Sequence, residues 1–176
     1  MADLSNPLRE NLVDDAVRFH GHLGPFLILG LKAGLFANET LGKDYFETRV
    51  TVETEDAPPC SCVVDGLQFT TGCTMGKGNI ELKKGRSLHL LFTKGNRTLK
   101  LNLKDNILRS LKDTHSDEDL TETALEISKR PIQELFDISL SRELITANHQ
   151  QQEKYVTNYK AMAMEERESG DRRKED

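Results

Sequence analysis

Two stretches of this chain alternate polar and apolar residues one by one, and that period of two builds a core only as half-buried β-strand. In the first, Phe46, Thr48, Val50, Val52 and Thr54 alternate with Glu47, Arg49, Thr51, Glu53 and Glu55. In the second, Leu88, Leu90 and Phe92 face Leu99, Leu101 and Leu103 across Lys94-Gly95-Asn96-Arg97, the pattern of a β-hairpin with a short connection. Helical signals lie on both sides, so the chain reads as helix, helix, strand, short helix, hairpin and then helices.

The first helix opens with capping and proline signals at Ser5-Asn6-Pro7, and carries Leu8, Leu12, Val13, Ala16, Val17 and Phe19 on one stripe. Gly21 and the pair Gly24-Pro25 interrupt it. Pro25 suits a new first turn, and Phe26 to Leu41 continues as a second helix that Gly42 stops. Gly30 and Gly34, with Ala33 and Ala37, put small residues on neighbouring stripes of that helix, as close backbone packing requires. Ala57-Pro58-Pro59 breaks the first strand, Val63 to Phe69 suits a short helix, and Gly72 to Asn79 is a glycine-rich loop. From a cap-like Ser116-Asp117-Glu118-Asp119 the pattern reads as helix only: Leu120, Ala124, Leu125 and Ile127, then, after Pro131, Ile132, Leu135, Phe136, Ile138 and Leu140. Beyond Arg142 the chain turns polar and charged. The expected organisation is a core over 1–112, a helical extension over 113–142 and a charged C-terminal helix or tail over 143–176.

Composition narrows the function. With 176 residues the chain suits one decorated domain, and its hydrophobic fraction of 36% without tryptophan implies a compact, aliphatic core. A net charge of −5 argues against a dedicated nucleic-acid surface or an anionic-membrane surface. The most apolar run, Leu23 to Phe36, is too short to span a bilayer and carries Lys32. The N-terminus lacks the pattern of a signal peptide. Three cysteines without a secretion signal read as reduced thiols in a cytoplasmic protein.

Chemistry-bearing residues concentrate in Phe19-His20-Gly21-His22-Leu23-Gly24-Pro25 and in the stretch from Pro59-Cys60-Ser61-Cys62 to Gly72-Cys73-Thr74-Met75-Gly76-Lys77-Gly78. Imidazole nitrogen and thiolate sulfur are the donors a borderline-soft ion such as Zn²⁺ prefers. His20 and His22 flank Gly21, which can turn both rings, or only one, toward a common point. The simpler alternative has one histidine capping the first helix and the other hydrogen-bonded in place. Cys60, beside two prolines, reads as a small buried hydrophobe. Cys62 and Cys73 stay open between packing and ligation. The spacing is not that of a zinc finger. The glycine loop is not a nucleotide phosphate loop, because Gly78 stands where Ser or Thr would hold Mg²⁺.

Taken together, Phe19 to Pro25, Cys62-Val63-Val64-Asp65-Gly66-Leu67-Gln68 and Thr71-Gly72-Cys73-Thr74-Met75-Gly76-Lys77-Gly78-Asn79 resemble, in order and spacing, the FmdE family, whose name comes from a component of formylmethanofuran dehydrogenase. The resemblance runs over roughly residues 8–140. It implies an α+β domain, a small mixed or antiparallel sheet flanked by helices, in a homodimer. It also implies a cavity that binds a divalent metal, commonly zinc, with His20, His22, Cys62 and Cys73 as ligands. Asp65 and Gln68 would orient those ligands, and Thr74 and Lys77 would line the same cavity. Two features depart from the family pattern: Gly24 stands where relatives carry a cysteine, with Cys60 the one candidate replacement, and no cysteine-rich zinc ribbon follows Cys73. The expected role is an accessory subunit, or a handler of metal or cofactor, beside redox-enzyme subunits of anaerobic one-carbon or molybdenum/tungsten metabolism. Two alternatives stand beside it. One is a stand-alone metal-dependent enzyme with Asp65 or Lys77 moving a proton; the other is a metal-free interaction module.

Overall fold

The computed structural model describes residue 8, residues 10–112 and residues 117–142. The expected start signal at Ser5, the cap at Ser116 and the segment 143–176 lie outside the described residues.

Helix α1 (Glu10–His20) leads through Gly21 into α2 (Pro25–Leu41), followed by strand β1 (Arg49–Thr54), a 3₁₀ turn (Cys60–Cys62), helix α3 (Val63–Thr71) and a second 3₁₀ turn (Met75–Lys77). Strands β2 (Ile80–Lys84), β3 (His89–Lys94) and β4 (Arg97–Leu103) come next, then α4 (Asp105–Lys112), α5 (Asp117–Lys129), a short α6 (Ile132–Leu135) and β5 (Phe136–Arg142). The five strands form one mixed sheet in the order β2-β1-β3-β4-β5, with β1 and β2 parallel and the other pairs antiparallel. The architecture is α+β, as the sequence pattern requires.

Register follows from the alternation. Val50 pairs with Phe92 and Val52 with Leu90; Leu90 and Phe92 in turn pair with Leu101 and Leu99, and all six are buried on one face. Shifting any strand by one residue would turn this set to solvent. Helix α2 is apolar around nearly its whole circumference because it is covered on several sides: it packs on α3, α5 and β4. Its lysine is tolerated because the Lys32 amine donates to Ser128 O near the end of α5 at 2.9 Å, and burial depresses its pKa.

The glycines of α2 meet α3. A Cβ on Gly30 would stand 3.0 Å from Gly66 Cα and 3.1 Å from Leu67 N, and one on Gly66 would stand 2.7 Å from Leu31 N. The two helices therefore cross backbone to backbone.

Two strands differ from the sequence expectation. Residues 136–142 are not helical but form β5, with Leu101 opposite Ile138 and Leu99 opposite Leu140. Phe136, Ile138 and Leu140 fit a period of two as well as a helical stripe, and the open edge of β4 decides in favour of pairing. Strand β2 has only Ile80 and Leu82 facing inward, too short a run to register as alternation. It forms because α3 carries the chain across to lie parallel to β1. Among the described residues no helix is long and apolar enough to cross a membrane.

Candidate functional site

Three local features bring one histidine and one carboxylate together. Helix α1 ends at His20 because Gly21 takes φ +104, and its N–H closes the last turn on Val17 O at 2.7 Å. Ala16, fully buried, anchors that helix, and Phe19 sets its ring 6.1 Å from the ring of Phe69 on α3. Asp65 lies in the first turn of α3, where a carboxylate complements the helix dipole. The result is a short contact, His20 Nδ1 to Asp65 Oδ2 at 2.6 Å.

The His20 side chain is only 7% exposed, against 37% for Asp65. The other ring nitrogen, His20 Nε2, is buried with no hydrogen-bond partner. Asp65 Oδ1 takes a longer bond of 3.4 Å from the Gln68 amide, whose carbonyl accepts the Met75 N–H at 2.9 Å. These groups border a cleft of about 370 Å³ lined by His20, Cys62, Asp65 and Gln68 on its polar side, by Pro58, Val64, Met75 and Leu82 on its apolar side, and by Ser61. It opens beside the connection from β1 to α3, so parallel pairing of β1 with β2 is what places Leu82 opposite the first turn of that helix.

The expected site residues separate. His20, Cys62, Asp65 and Gln68 share the cleft. His22 is exposed, its ring centroid 4.5 Å from that of His20, and lies over Gly24, where a Cβ would stand 3.3 Å from His22 Nε2. Cys73 is not brought to the cleft: it is fully buried in the core, its thiol donating to Thr48 O at 3.3 Å. Thr74 and Lys77 also stand apart from it. The Thr74 hydroxyl accepts the Lys77 N–H and so caps the second 3₁₀ turn. The Lys77 amine bonds Gly72 O and lies over the rings of Tyr45 and Phe46, at 5.6 and 5.7 Å. Cys60 is buried with its thiol toward Glu55, whose carboxylate Lys112 holds in an ion pair. The cleft residues not singled out from the sequence are Pro58, Ser61, Val64, Met75 and Leu82. Apolar residues of this kind carry no signal of their own, because any core uses them.

All three thiols are held protonated. Burial raises each pKa, with the Glu55 charge adding to it at Cys60 and the Asp65 charge at Cys62. A raised folded-state pKa contributes stability that is complete below the unfolded thiol pKa and is lost as pH climbs through the folded one. The stability advantage of the wild type over Cys73→Ala should therefore hold steady at neutral pH and shrink in the alkaline range where the unfolded thiol ionises and the buried one does not. Urea melts at neutral and alkaline pH measure this; an advantage that grows with pH would contradict it.

Among the described residues no group of three or more His, Cys, Asp or Glu side chains gathers in a form that could hold a metal ion. What is present is one buried imidazole nitrogen without a partner, its ring oriented by a carboxylate, and one thiol bordering the same cleft. That pair fits an open coordination site completed from outside, and does not fit a closed four-ligand zinc site.

Comparison with known proteins places the fold. Residues 19–169 match the family model described as FmdE, molybdenum formylmethanofuran dehydrogenase operon. An FmdE-like protein of the tungsten formylmethanofuran dehydrogenase type, from Syntrophus aciditrophicus, has a similar structure, with TM-score 0.54 and 16% identity over 77% of this chain and 72% of that one. A probable S-adenosyl-L-methionine-binding protein from Archaeoglobus fulgidus is 38% identical over 69 residues, 37% of this chain. The chain spans only 18% of that relative's length.

Proposed function

The chain belongs to the FmdE family, and from that premise we propose that it serves formylmethanofuran dehydrogenase as an accessory protein, holding a small ligand of that system in the His20–Asp65 cleft. The observation that carries the reading is the unpartnered His20 Nε2. A buried polar atom left unpaired costs about 1–3 kcal/mol, so such atoms are kept where something other than the chain itself satisfies them. The contact of Nδ1 with Asp65 fixes the ring and leaves Nε2 as its one unpartnered polar atom. A tagged form of the chain should retain dehydrogenase subunits from a cell extract of its source. Failure to retain any of them, from a well-folded preparation, would remove the accessory role.

A divalent metal as the ligand is a second reading, favoured by the same anchored imidazole, since metal-bound histidines commonly give their other nitrogen to a carboxylate. His20 Nε2 and the Cys62 sulfur would hold it, and zinc suits that nitrogen and sulfur pair. When bound, such an ion supplies Lewis acidity; Asp65 keeps the imidazole oriented. Elemental analysis of protein purified without a metal-chelating tag tests it. Close to one zinc per chain in the wild type, absent from both His20→Ala and Cys62→Ser, is the expected result for this reading. A wild type without metal, whose thermal midpoint does not respond to added Zn²⁺, would leave the cleft to organic ligands alone.

A further inference from the structure

The geometry points to an interaction surface: the joined loops 43–47 and 74–78 dock on an acidic face of the partner protein. This rests on the accessory reading and names the face of the chain that meets the dehydrogenase.

Apolar exposure concentrates here. Among the described residues six large apolar side chains are exposed, and three of them, Tyr45, Phe46 and Met75, stand on these two loops. Exposed apolar side chains scattered singly are ordinary, whereas a gathered set marks a contact surface. Tyr45 at 51% and Met75 at 59% are well clear of the core.

The loops are built to hold these side chains out. Asn79, buried, donates from Nδ2 to Tyr45 O at 2.9 Å and accepts the Thr74 N–H on Oδ1 at 2.8 Å, so one side chain ties loop to loop. Asp44 Oδ1 accepts the N–H groups of Phe46 and Glu47 at 2.9 and 2.8 Å, which fixes the turn between them. The Tyr45 ring rests against Gly72, where a Cβ would stand 2.6 Å from its Cε1. A surface already ordered in the free chain loses little conformational entropy on docking.

Charge gives the sign of the partner. The chain carries −5 overall, yet cations converge on this end of α2. The Lys43 amine lies 5.0 Å from the centre of the Tyr45 ring, and the Lys77 amine 5.6 and 5.7 Å from those of Tyr45 and Phe46. Arg49 reaches Gly78 O, while Lys94 and Arg97 donate to Gly42 O and Thr40 O at the end of the helix. Lysine and arginine are cationic at neutral pH. Three carboxylates share this end, Glu39, Asp44 and Glu47, and Asp44 is spent on its own turn, so the excess is positive. Nucleic acid fits less well. Stacked bases would have to displace the amines that lie over both rings, whereas the carboxylates of a protein pair with those amines and leave the rings in place.

Two measurements test this on the full chain. In the first, octaglutamate should shift the ¹⁵N-amide resonances of residues 43–47 and 74–78 in the wild type, and octalysine should leave them still. In the second, Lys43→Glu with Lys77→Glu should cut the dehydrogenase subunits retained from a cell extract at least about tenfold. Lys83→Glu with Lys100→Glu makes the same charge change on β2 and β4, and should stay within about twofold of the wild type. All four positions are exposed, and thermal melts confirm that the variants fold. Undiminished retention by the folded Lys43→Glu, Lys77→Glu protein would overturn the proposal and leave the accessory reading standing. So would octaglutamate that leaves both loops unmoved, a comparison that needs no variant. Octathymidylate binding these loops more tightly than octaglutamate would assign them to nucleic acid instead. If the charge reversal halves the particle mass in sedimentation, the face belongs to a second copy of the chain and the proposal falls. A wild type that retains no dehydrogenase subunit removes the accessory reading, and this partner with it.

Discussion

Gly66→Ala should destabilise the protein by about 3 kcal/mol, at the upper end of what one added methyl does to a packed interior. In an exposed helix the same change would stabilise by about 1 kcal/mol, because alanine is the better helix former. Here the helix α2 backbone decides the sign. A Cβ on Gly66 would stand 2.7 Å from Leu31 N and 2.9 Å from Gly30 C, and would press on Leu27 O more closely still. Backbone atoms inside a helix cannot rotate aside, so α2 and α3 must separate. Because Cys62 and Asp65 sit at the start of α3, that separation would also pull the cleft apart. Gly76→Ala is the control: nothing lies within 4 Å of its Cβ position and its φ is ordinary, so it should change stability by less than about 0.5 kcal/mol. Urea denaturation of both variants measures the contrast. A Gly66→Ala protein as stable as the wild type would show that the helices part freely and that the crossing is not close packed.

Asp65→Ala should cost about 2 kcal/mol, although the residue is 37% exposed and its loss creates little cavity. The cost comes from its partner. His20 stays buried, with its Nε2 already unpaired and its Nδ1 now orphaned as well. His20→Ala should therefore rescue part of the loss when added to Asp65→Ala, giving a coupling of about 1–3 kcal/mol in a double-mutant cycle. Asp65→Asn should fall close to the wild type, since an amide oxygen can still take the Nδ1–H. A cycle with no coupling would mean that the two residues are neighbours without an energetic bond. The cleft would then lose its oriented imidazole.

Much of the architecture was legible in the residues because it depends on local periods. The alternation over 46–55 and 88–103 marked β1 and the hairpin, Gly42 marked the end of α2, and Gly30 with Gly34 signalled a close helix contact whose partner, Gly66, gave no sign of itself. Strands β2 and β5 were hidden for a different reason. Each is defined by the strand beside it, β1 or β4, and a run with two or three inward side chains satisfies either period until that neighbour is in place.

The site divides in the same way. Residue chemistry singled out His20, His22, Cys62 and Cys73, because imidazole and thiol gather in two short segments, and only the family resemblance added Asp65 and Gln68, with Thr74 and Lys77, to them. Only the tertiary structure separated Cys73, Thr74 and Lys77 from them. Cys73 goes to Thr48 in the core, and Thr74 and Lys77 close the loop that follows. Sequence determined which atoms could do chemistry, since that is a property of side chains. Tertiary structure decided that Nδ1 of His20 is spent on Asp65 and Nε2 is left open, because the meeting of residues 45 positions apart depends on how α1 and α3 pack.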